Sequence, residues 1–264
     1  MDAATAQVRW QEDGKILWLV IDRVESHNAL SLQTWSELEQ GARVAAQSAC
    51  RVVVVRGAGE EAFVSGADIR EFPEYRANPE QARRYDEVSQ AALAALWQLD
   101  KPVIAMVNGL CYGGGCALAL ACDVRFAAAH ARFCIPAVRL GLAYPLHYGI
   151  APLVAAVGAG WAAELLLSGR VFDAQEALQM GFVHRVFPRE DLLPATREYA
   201  ARLASNAPLT MAAHKAAVRA WSRGARAEEL AAVEEKIRRC FASTDYQEGV
   251  KAFLEKRPPN FEGK

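Results

Sequence analysis

The sequence has no run of charge of one sign: 30 Lys and Arg are matched by 31 Asp and Glu, for a formal net charge of −1. Nucleic-acid partners usually leave a basic stripe, and none is present, so that class of partner is excluded. The cysteines Cys50, Cys111, Cys116, Cys122, Cys134 and Cys240 form no CxxC pair and have no metal-ligand spacing with histidine. They read as reduced, mostly buried small apolar side chains. No basic and then apolar leader precedes Ile16, and no apolar run of membrane-spanning length is free of both charge and glycine. The expectation is a cytoplasmic protein with no membrane partner. Internal repeats and low-complexity linkers are missing, and the length suits one large domain or one domain with a helical appendix. Two nucleotide motifs are also missing: there is no GxxxxGK[ST], and the spacing from Gly109 to Gly115 does not give GxGxxG.

What the chain does have is glycine at strand-to-helix junctions. From Lys101 to Asp123 it reads KPVIAMVNGLCYGGGCALALACD. The apolar run Val103–Val107 predicts a strand, Asn108-Gly109 a turn, and Gly113, Gly114 and Gly115 the opening of a small-residue helix. Such a corner leaves the first helical N–H groups free for an anion or a developing oxyanion; a tight turn feeding a buried helix is the plainer alternative. The pattern recurs upstream, where Ala62-Phe63-Val64-Ser65-Gly66-Ala67-Asp68-Ile69 follows a strand candidate at Val52–Arg56.

Around these corners, Val8–Trp10 and Ile16–Asp22 predict a hairpin about Asp13-Gly14, and Ser31 caps a helix bearing Leu32, Trp35 and Leu38. Phe72 to Pro79 reads as a mobile loop, followed by a helix with Tyr85, Val88, Ala92, Leu96 and Leu99 on one face. Short strands are predicted at Val124–Ala127 and Arg132–Cys134, and helices dominate from Gly149 on. Asp173 with Glu176 predicts a helix start, and Gly181 a stop. Pro208 to Leu254 carries two helical patterns, one with Leu230, Val233, Ile237 and Phe241 on an apolar face that needs covering.

Taken together, these motifs resemble the enoyl-CoA hydratase/isomerase, or crotonase, family along nearly the whole chain. The residues that carry the resemblance are Asn28-Ala29-Leu30, the SGADI segment, Lys101-Pro102, NGLCYGGGCALALACD, Phe133 to Gly141 and Leu167–Gly181. The resemblance implies a crotonase-like (ClpP/crotonase) α/β fold, a spiral of ββα units with a helical C-terminal region. It divides the chain into a core domain, 1–200, and a C-terminal helical trimerisation region, 201–264, in a homotrimer or dimer of trimers. It implies an acyl-CoA thioester substrate, with coenzyme A part of that substrate, and no separate cofactor or metal.

In such a protein the backbone N–H groups of Ala67 and Gly114 form an oxyanion hole for the thioester carbonyl. Two fixed donors there stabilise an enolate by several kcal/mol relative to water. Ser65, Gly66 and Gly113 are the small neighbours that admit the thioester, and the backbone around Ala67, Asp68 and Ile69 meets the adenine. Asp68 itself reads as a structural cap of the next helix. Arg23 and Lys256 are the expected sources of positive charge near the phosphates, although Glu25 stands where the family commonly has lysine. Ser65 is no nucleophile, since no GxSxG elbow surrounds it.

The chain departs from the family's hydratases at the acid and base. Their two glutamates correspond to Ala117 and to Ala137 in Ile135-Pro136-Ala137-Val138, and hydration needs a carboxylate to activate water. Pro136 and Leu142 join these alanines as acyl-pocket residues. Tyr144 resembles the tyrosine of the methylmalonyl-CoA decarboxylase branch, which has a similar LGxxYxLxxGI pattern but a histidine in place of Ala67 and an acidic residue in place of Ala117. Tyr144 would orient a substrate carboxylate or deliver a proton, or would simply be a wall aromatic. His147 is a candidate general base or a histidine bonded to nearby backbone. The expected reaction is decarboxylation, slightly ahead of double-bond isomerisation. The alternatives are a hydratase in which His147 or Glu74 replaces the glutamates, and a non-catalytic acyl-CoA binder or assembly subunit.

Overall fold

Strand-forming runs punctuated by turn residues set the topology of the computed structural model, which describes residues 6–222 and 224–264. β1 (Val8–Asp13) and β2 (Ile16–Ile21) pair antiparallel about Gly14, whose φ of 61° needs glycine. α1 (Leu32–Gln47) starts where Ser31 accepts from the Thr34 N–H, with the reciprocal Thr34 bond completing a capping box. β3 (Val52–Gly57), β4 (Ala62–Val64), α2 (Phe72–Tyr75) and α3 (Pro79–Gln98) make one turn of the spiral. The next comprises β5 (Val103–Val107), β6 (Leu110–Tyr112) and α4 (Gly114–Ala121), and the third β7 (Val124–Ala128), β8 (Arg132–Cys134) and α5 (Ala151–Ser168).

Each turn gives one strand to each of two sheets. The larger sheet has the order β1-β2-β3-β5-β7-β10, where β10 is Arg185–Phe187; the smaller has the order β4-β6-β8-β9, where β9 is Val171–Asp173. Parallel pairing runs from β2 through β3, β5 and β7 to β10, and from β4 through β6 to β8. A parallel strand buried on both faces reads as a continuous apolar run, which is why Val52–Val55 and Val103–Val107 do not alternate. Val53, Val55, Val103 and Ala105 face one core cluster, while Val52, Val54, Ile104 and Met106 face the other. A fully buried aromatic group of Phe133, Phe172 and Phe182, with centroids 5.3–5.6 Å apart, fixes the smaller sheet against its surroundings.

α6 (Ala174–Gln179) begins at the expected Asp173–Glu176 capping box, and Gly181 follows it with φ 80°. α7 (Arg189–Ala204), α8 (Pro208–Ser222), α9 (Ala227–Phe241) and α10 (Thr244–Leu254) complete the chain. The crotonase-type α/β architecture expected from the sequence is present. Two readings need correction. Phe72 to Pro79 is not an open loop: Phe72–Tyr75 form a short helix, and Asn78 caps α3 by accepting from Gln81 N–H at 2.9 Å. Pro208 to Leu254 holds three helices, because Ser243 caps a separate α10 through the Tyr246 N–H. Residues 146–168 are long and apolar enough to cross a membrane by length and composition. However, the helix is interrupted at Gly158, and Leu153, Val157, Ala162 and Leu165 are buried in the core.

Phe133→Ala would open a cavity between two other rings. It should lower unfolding stability by about 3–5 kcal/mol, read as a shifted urea midpoint at unchanged m-value.

Candidate active site

Because β4, β6 and β8 are adjacent and parallel, their C-terminal ends release three segments side by side. These are Ser65-Gly66-Ala67 after β4, Gly113-Gly114 after β6 and Pro136-Ala137 after β8. All seven residues line one cavity of about 170 Å³. Gly113 has φ 49° and ψ −112° and Gly66 has φ 122°, conformations that a side chain resists. The two glycines nearly touch: a Cβ on Gly113 would lie 3.8 Å from Gly66 Cα.

The backbone on either side of Ala67 is tied to Leu30, whose N–H donates to the Gly66 carbonyl at 2.8 Å and whose carbonyl accepts from Asp68 N–H at 2.9 Å. Ala67 N–H takes no part in this bridge, and Gly114 N–H opens α4. Neither amide donates to another group among the described residues. The two expected oxyanion donors thus flank one cavity with free N–H groups.

Tyr144 reaches the same corner differently from the sequence expectation. Its hydroxyl donates to the Gly113 carbonyl, which also accepts from the Ala117 N–H at 3.3 Å. Burial, above all, holds the phenol well above its ordinary pKa range. Gly149 lies against the ring, where an added Cβ would meet Tyr144 Cδ1 at 2.6 Å. With its hydroxyl occupied at the start of α4, Tyr144 is not a free proton donor or carboxylate clamp. In a trans peptide the Gly113 C=O and Gly114 N–H point in opposite directions. Tyr144 therefore fixes the peptide plane whose other side carries the Gly114 N–H.

Ala117, Pro136, Ala137 and Leu142 line the cavity as expected, so methyl groups occupy its wall at 117 and 137. Ser65 lines it too, with its hydroxyl donated to the Ser26 carbonyl at 3.2 Å, and Ile69 lies at the exposed edge. Other expected residues lie elsewhere. His147 is exposed and does not line the cavity, because the wide turn of Leu146–Ile150 directs Tyr148 inward instead. Glu74 is exposed and does not line the cavity, and Glu71 caps α1 by accepting from Leu32 N–H at 2.8 Å.

Arg23 is likewise committed. It donates to the Ala29 carbonyl at 2.6 Å and to Asp68 Oδ2 at 2.9 Å, so its guanidinium faces inward and is not open to a phosphate. Asp68 also receives two bonds from Arg70 at 2.8 Å, which with Arg23 holds its carboxyl down at about 2 against the effect of burial. Its side chain accepts from Arg70 N–H at 3.3 Å, which is the structural cap read from the sequence. Lys256 is exposed with φ 54° and does not line the cavity.

One pair was missed. Arg76 and Asp86 are the only charged residues lining the cavity among the described residues, paired at 3.2 Å. Arg76 lies over the rings of Phe72 and Tyr85, 5.1 and 5.0 Å from their centroids. The signal was the stripe Asp86, Gln90, Leu93 at helical spacing, one step around α3 from its apolar face.

The model of the family described as enoyl-CoA hydratase/isomerase matches residues 11–264. The chain belongs to the enoyl-CoA hydratase/isomerase family. It is 35% identical over 251 residues to the short-chain-enoyl-CoA hydratase of Clostridium acetobutylicum, covering 94% of each chain. It is 35% identical to the crotonyl-CoA hydratase of Syntrophomonas wolfei over 95% of this chain and 96% of that one. A crystal structure of an enoyl-CoA hydratase/carnithine racemase from Magnetospirillum magneticum superposes with a TM-score of 0.92 at 34% identity, covering 98% of this chain and 96% of the other. An acyl-CoA-processing enzyme of this family is what sequence, fold and relatives agree on.

Two expectations test this enoyl-CoA hydratase/isomerase site. The Asp68 carboxyl titrates lower folded than unfolded, so its stabilisation is complete above about pH 4 and is lost as pH falls toward 2. Asp68→Asn should remove about 1–2 kcal/mol at neutral pH and flatten the acid limb of a stability–pH curve over that window. Tyr144→Phe should lower kcat roughly 10- to 100-fold with KM nearly unchanged, since the hole loosens while the binding surface stays.

Proposed function

We propose that this chain forms the enolate of an acyl-CoA thioester and uses it for double-bond isomerisation or decarboxylation in preference to hydration. The observation that carries the reading is two free backbone amides, Ala67 and Gly114, beside a cavity whose lining presents alanine at 117 and 137. Charge that develops on a thioester oxygen between such donors is stabilised by about 3–4 kcal/mol per donor, with no reorganisation needed at the moment of reaction.

Hydration requires more than a hole. Water must be held and deprotonated, and the α-carbon must receive a proton, which two carboxylates at the positions of Ala117 and Ala137 would do. The resemblance assigns the hydratase glutamates to those positions, and alanine can do neither task. His147 and Glu74, the substitutes considered for a hydratase, are both outside the cavity. Decarboxylation needs only departure of carbon dioxide from the enolate carbon and a later proton. With Tyr144 hydrogen-bonded to Gly113, that proton would come from water or from Asp86, the one carboxylate lining the cavity among the described residues. Isomerisation needs a group that carries a proton between two carbons, and a single carboxylate suffices, so the cavity favours it. Neither reaction calls for a cofactor beyond the coenzyme A of the substrate.

A second reading, enoyl-CoA hydratase, is favoured by the names of the two relatives cited above, each 35% identical to this chain. We further infer self-association into a trimer or dimer of trimers. Trp221 and Phe253 are each 83% exposed on α8 and α10, and the Leu230–Phe241 face of α9 is not buried in one chain.

Assay against crotonyl-CoA, a 3-enoyl-CoA and methylmalonyl-CoA tests the reading. We expect turnover of the second or third at rates well above crotonyl-CoA hydration; hydration at typical family rates would overturn it, and binding without turnover would mark an acyl-CoA binder. Ala117→Glu with Ala137→Glu should raise crotonyl-CoA hydration at least 10-fold over the parent chain.

A further inference from the structure

We propose that Asp86, oriented by Arg76, is the proton-carrying carboxylate of the acyl cavity and makes the chain an isomerase of unsaturated acyl-CoA thioesters. The inference rests on the enolate reading above. Three observations carry it. Among the described residues, Asp86 is the one carboxylate lining the cavity that Ala67 and Gly114 also line. Its side chain is 34% exposed, enough for a substrate carbon to reach it, yet it is fixed at Oδ1 by Arg76 Nη2 at 3.2 Å. Arg76 itself packs over the neighbouring rings of Phe72 and Tyr85, with its side chain only 17% exposed. A guanidinium packed on two rings and paired with the carboxylate limits how far that carboxylate turns, as a proton shuttle between nearby carbons requires. Partial burial also raises the Asp86 pKa while Arg76 opposes the shift, which moves the carboxyl toward the strength of a useful base.

The step balances without any added reactant. The Asp86 carboxylate removes a proton from C2 of a 3-enoyl thioester. The C2–H electron pair becomes the C1=C2 bond, and the carbonyl π pair moves to the oxygen held by the Ala67 and Gly114 amides. On return, the oxygen pair re-forms C=O, the C1=C2 pair shifts to C2=C3, and the former C3=C4 pair takes the proton from Asp86 at C4. Asp86 ends ionised, as it began, and a 2-enoyl thioester leaves.

The test separates this inference from the reading beneath it. In D₂O, the wild-type chain should exchange the C2 protons of butyryl-CoA, which reports enolate formation alone, and should convert a 3-enoyl-CoA to its 2-enoyl isomer. Asp86→Asn, which keeps the shape and a partner for Arg76, should lose both activities by about 100-fold or more. Its butyryl-CoA affinity should stay within about threefold and its circular dichroism should be unchanged, and Asp86→Glu should recover part of the exchange. If Asp86→Asn exchanges at the wild-type rate, or loses affinity as much as exchange, Asp86 is not the proton carrier while the enolate reading stands. Wild-type chain that binds butyryl-CoA with no exchange at C2 overturns both. If Asp86→Asn fails to fold, an Asp86→Ser chain that folds and still exchanges overturns the assignment, and one that folds without exchange supports it.

Discussion

Parallel pairing of β4, β6 and β8 is the constraint on which the site depends. Three strands held side by side must end side by side, and the residues that follow them leave the sheet within one small region. The ladder brings together segments about fifty residues apart (β4 to β6) and about twenty apart (β6 to β8), with no side chain needed to bridge them. The registers Ala62↔Leu110 and Cys111↔Phe133 then set where the segments holding Ala67 and Gly114 leave the sheet beside the cavity. A one-residue slip in either pairing would bury one donor and expose a residue of the other face.

Given that frame, the amides become useful only if nothing else satisfies them. Leu30 bonds to the carbonyl of Gly66 and the amide of Asp68 and so leaves the amide between them unpaired. At the second donor, Tyr144 and the amides of Cys116 and Ala117 converge on the Gly113 carbonyl. A free amide in an apolar wall is costly in the resting protein, and that unfavourable desolvation is what makes it a strong donor when charge develops on a substrate oxygen. The ion network of Arg23, Asp68 and Arg70 holds the loop behind the first donor rigid, so no reorganisation is left for the reaction step.

Backbone features were the most legible in sequence, because they are written in local residue types. Ser31, Asp173 and Gly181 mark helix ends, Val103–Val107 has the bounds its apolar run predicts, and Gly66 and Gly113, one in each corner, stand where positive φ demands glycine. Side-chain direction was much less legible. His147 and Tyr148 are neighbours in the same turn, yet the first faces solvent and the second the cavity, and only the wide turn of Leu146–Ile150 decides which. Arg23 looked available because sequence cannot show that Ala29 and Asp68 already occupy it. Asp86 escaped notice for the opposite reason: on α3 it sits among charges such as Arg83, Arg84 and Glu87, which form ordinary exposed i,i+4 pairs.

The contrast between those helix-surface pairs and Arg76–Asp86 explains why one charge pair matters and the others do not. Arg83–Glu87 and Arg84–Glu80 are each more than half exposed on both partners, where water screens them and either member can be replaced at little cost. Arg76 and Asp86 are less exposed, at 17% and 34%, against a wall made by Phe72, Tyr85 and Leu93, where water screens the pair less. A fold that needed only an apolar acyl pocket would be better served by two hydrocarbons there, since a partly buried ion pair adds little net stability. That the pair is kept beside two free amides, in a cavity otherwise lined by methyls, rings and neutral polar groups, is accounted for most directly if the carboxylate has chemistry to do.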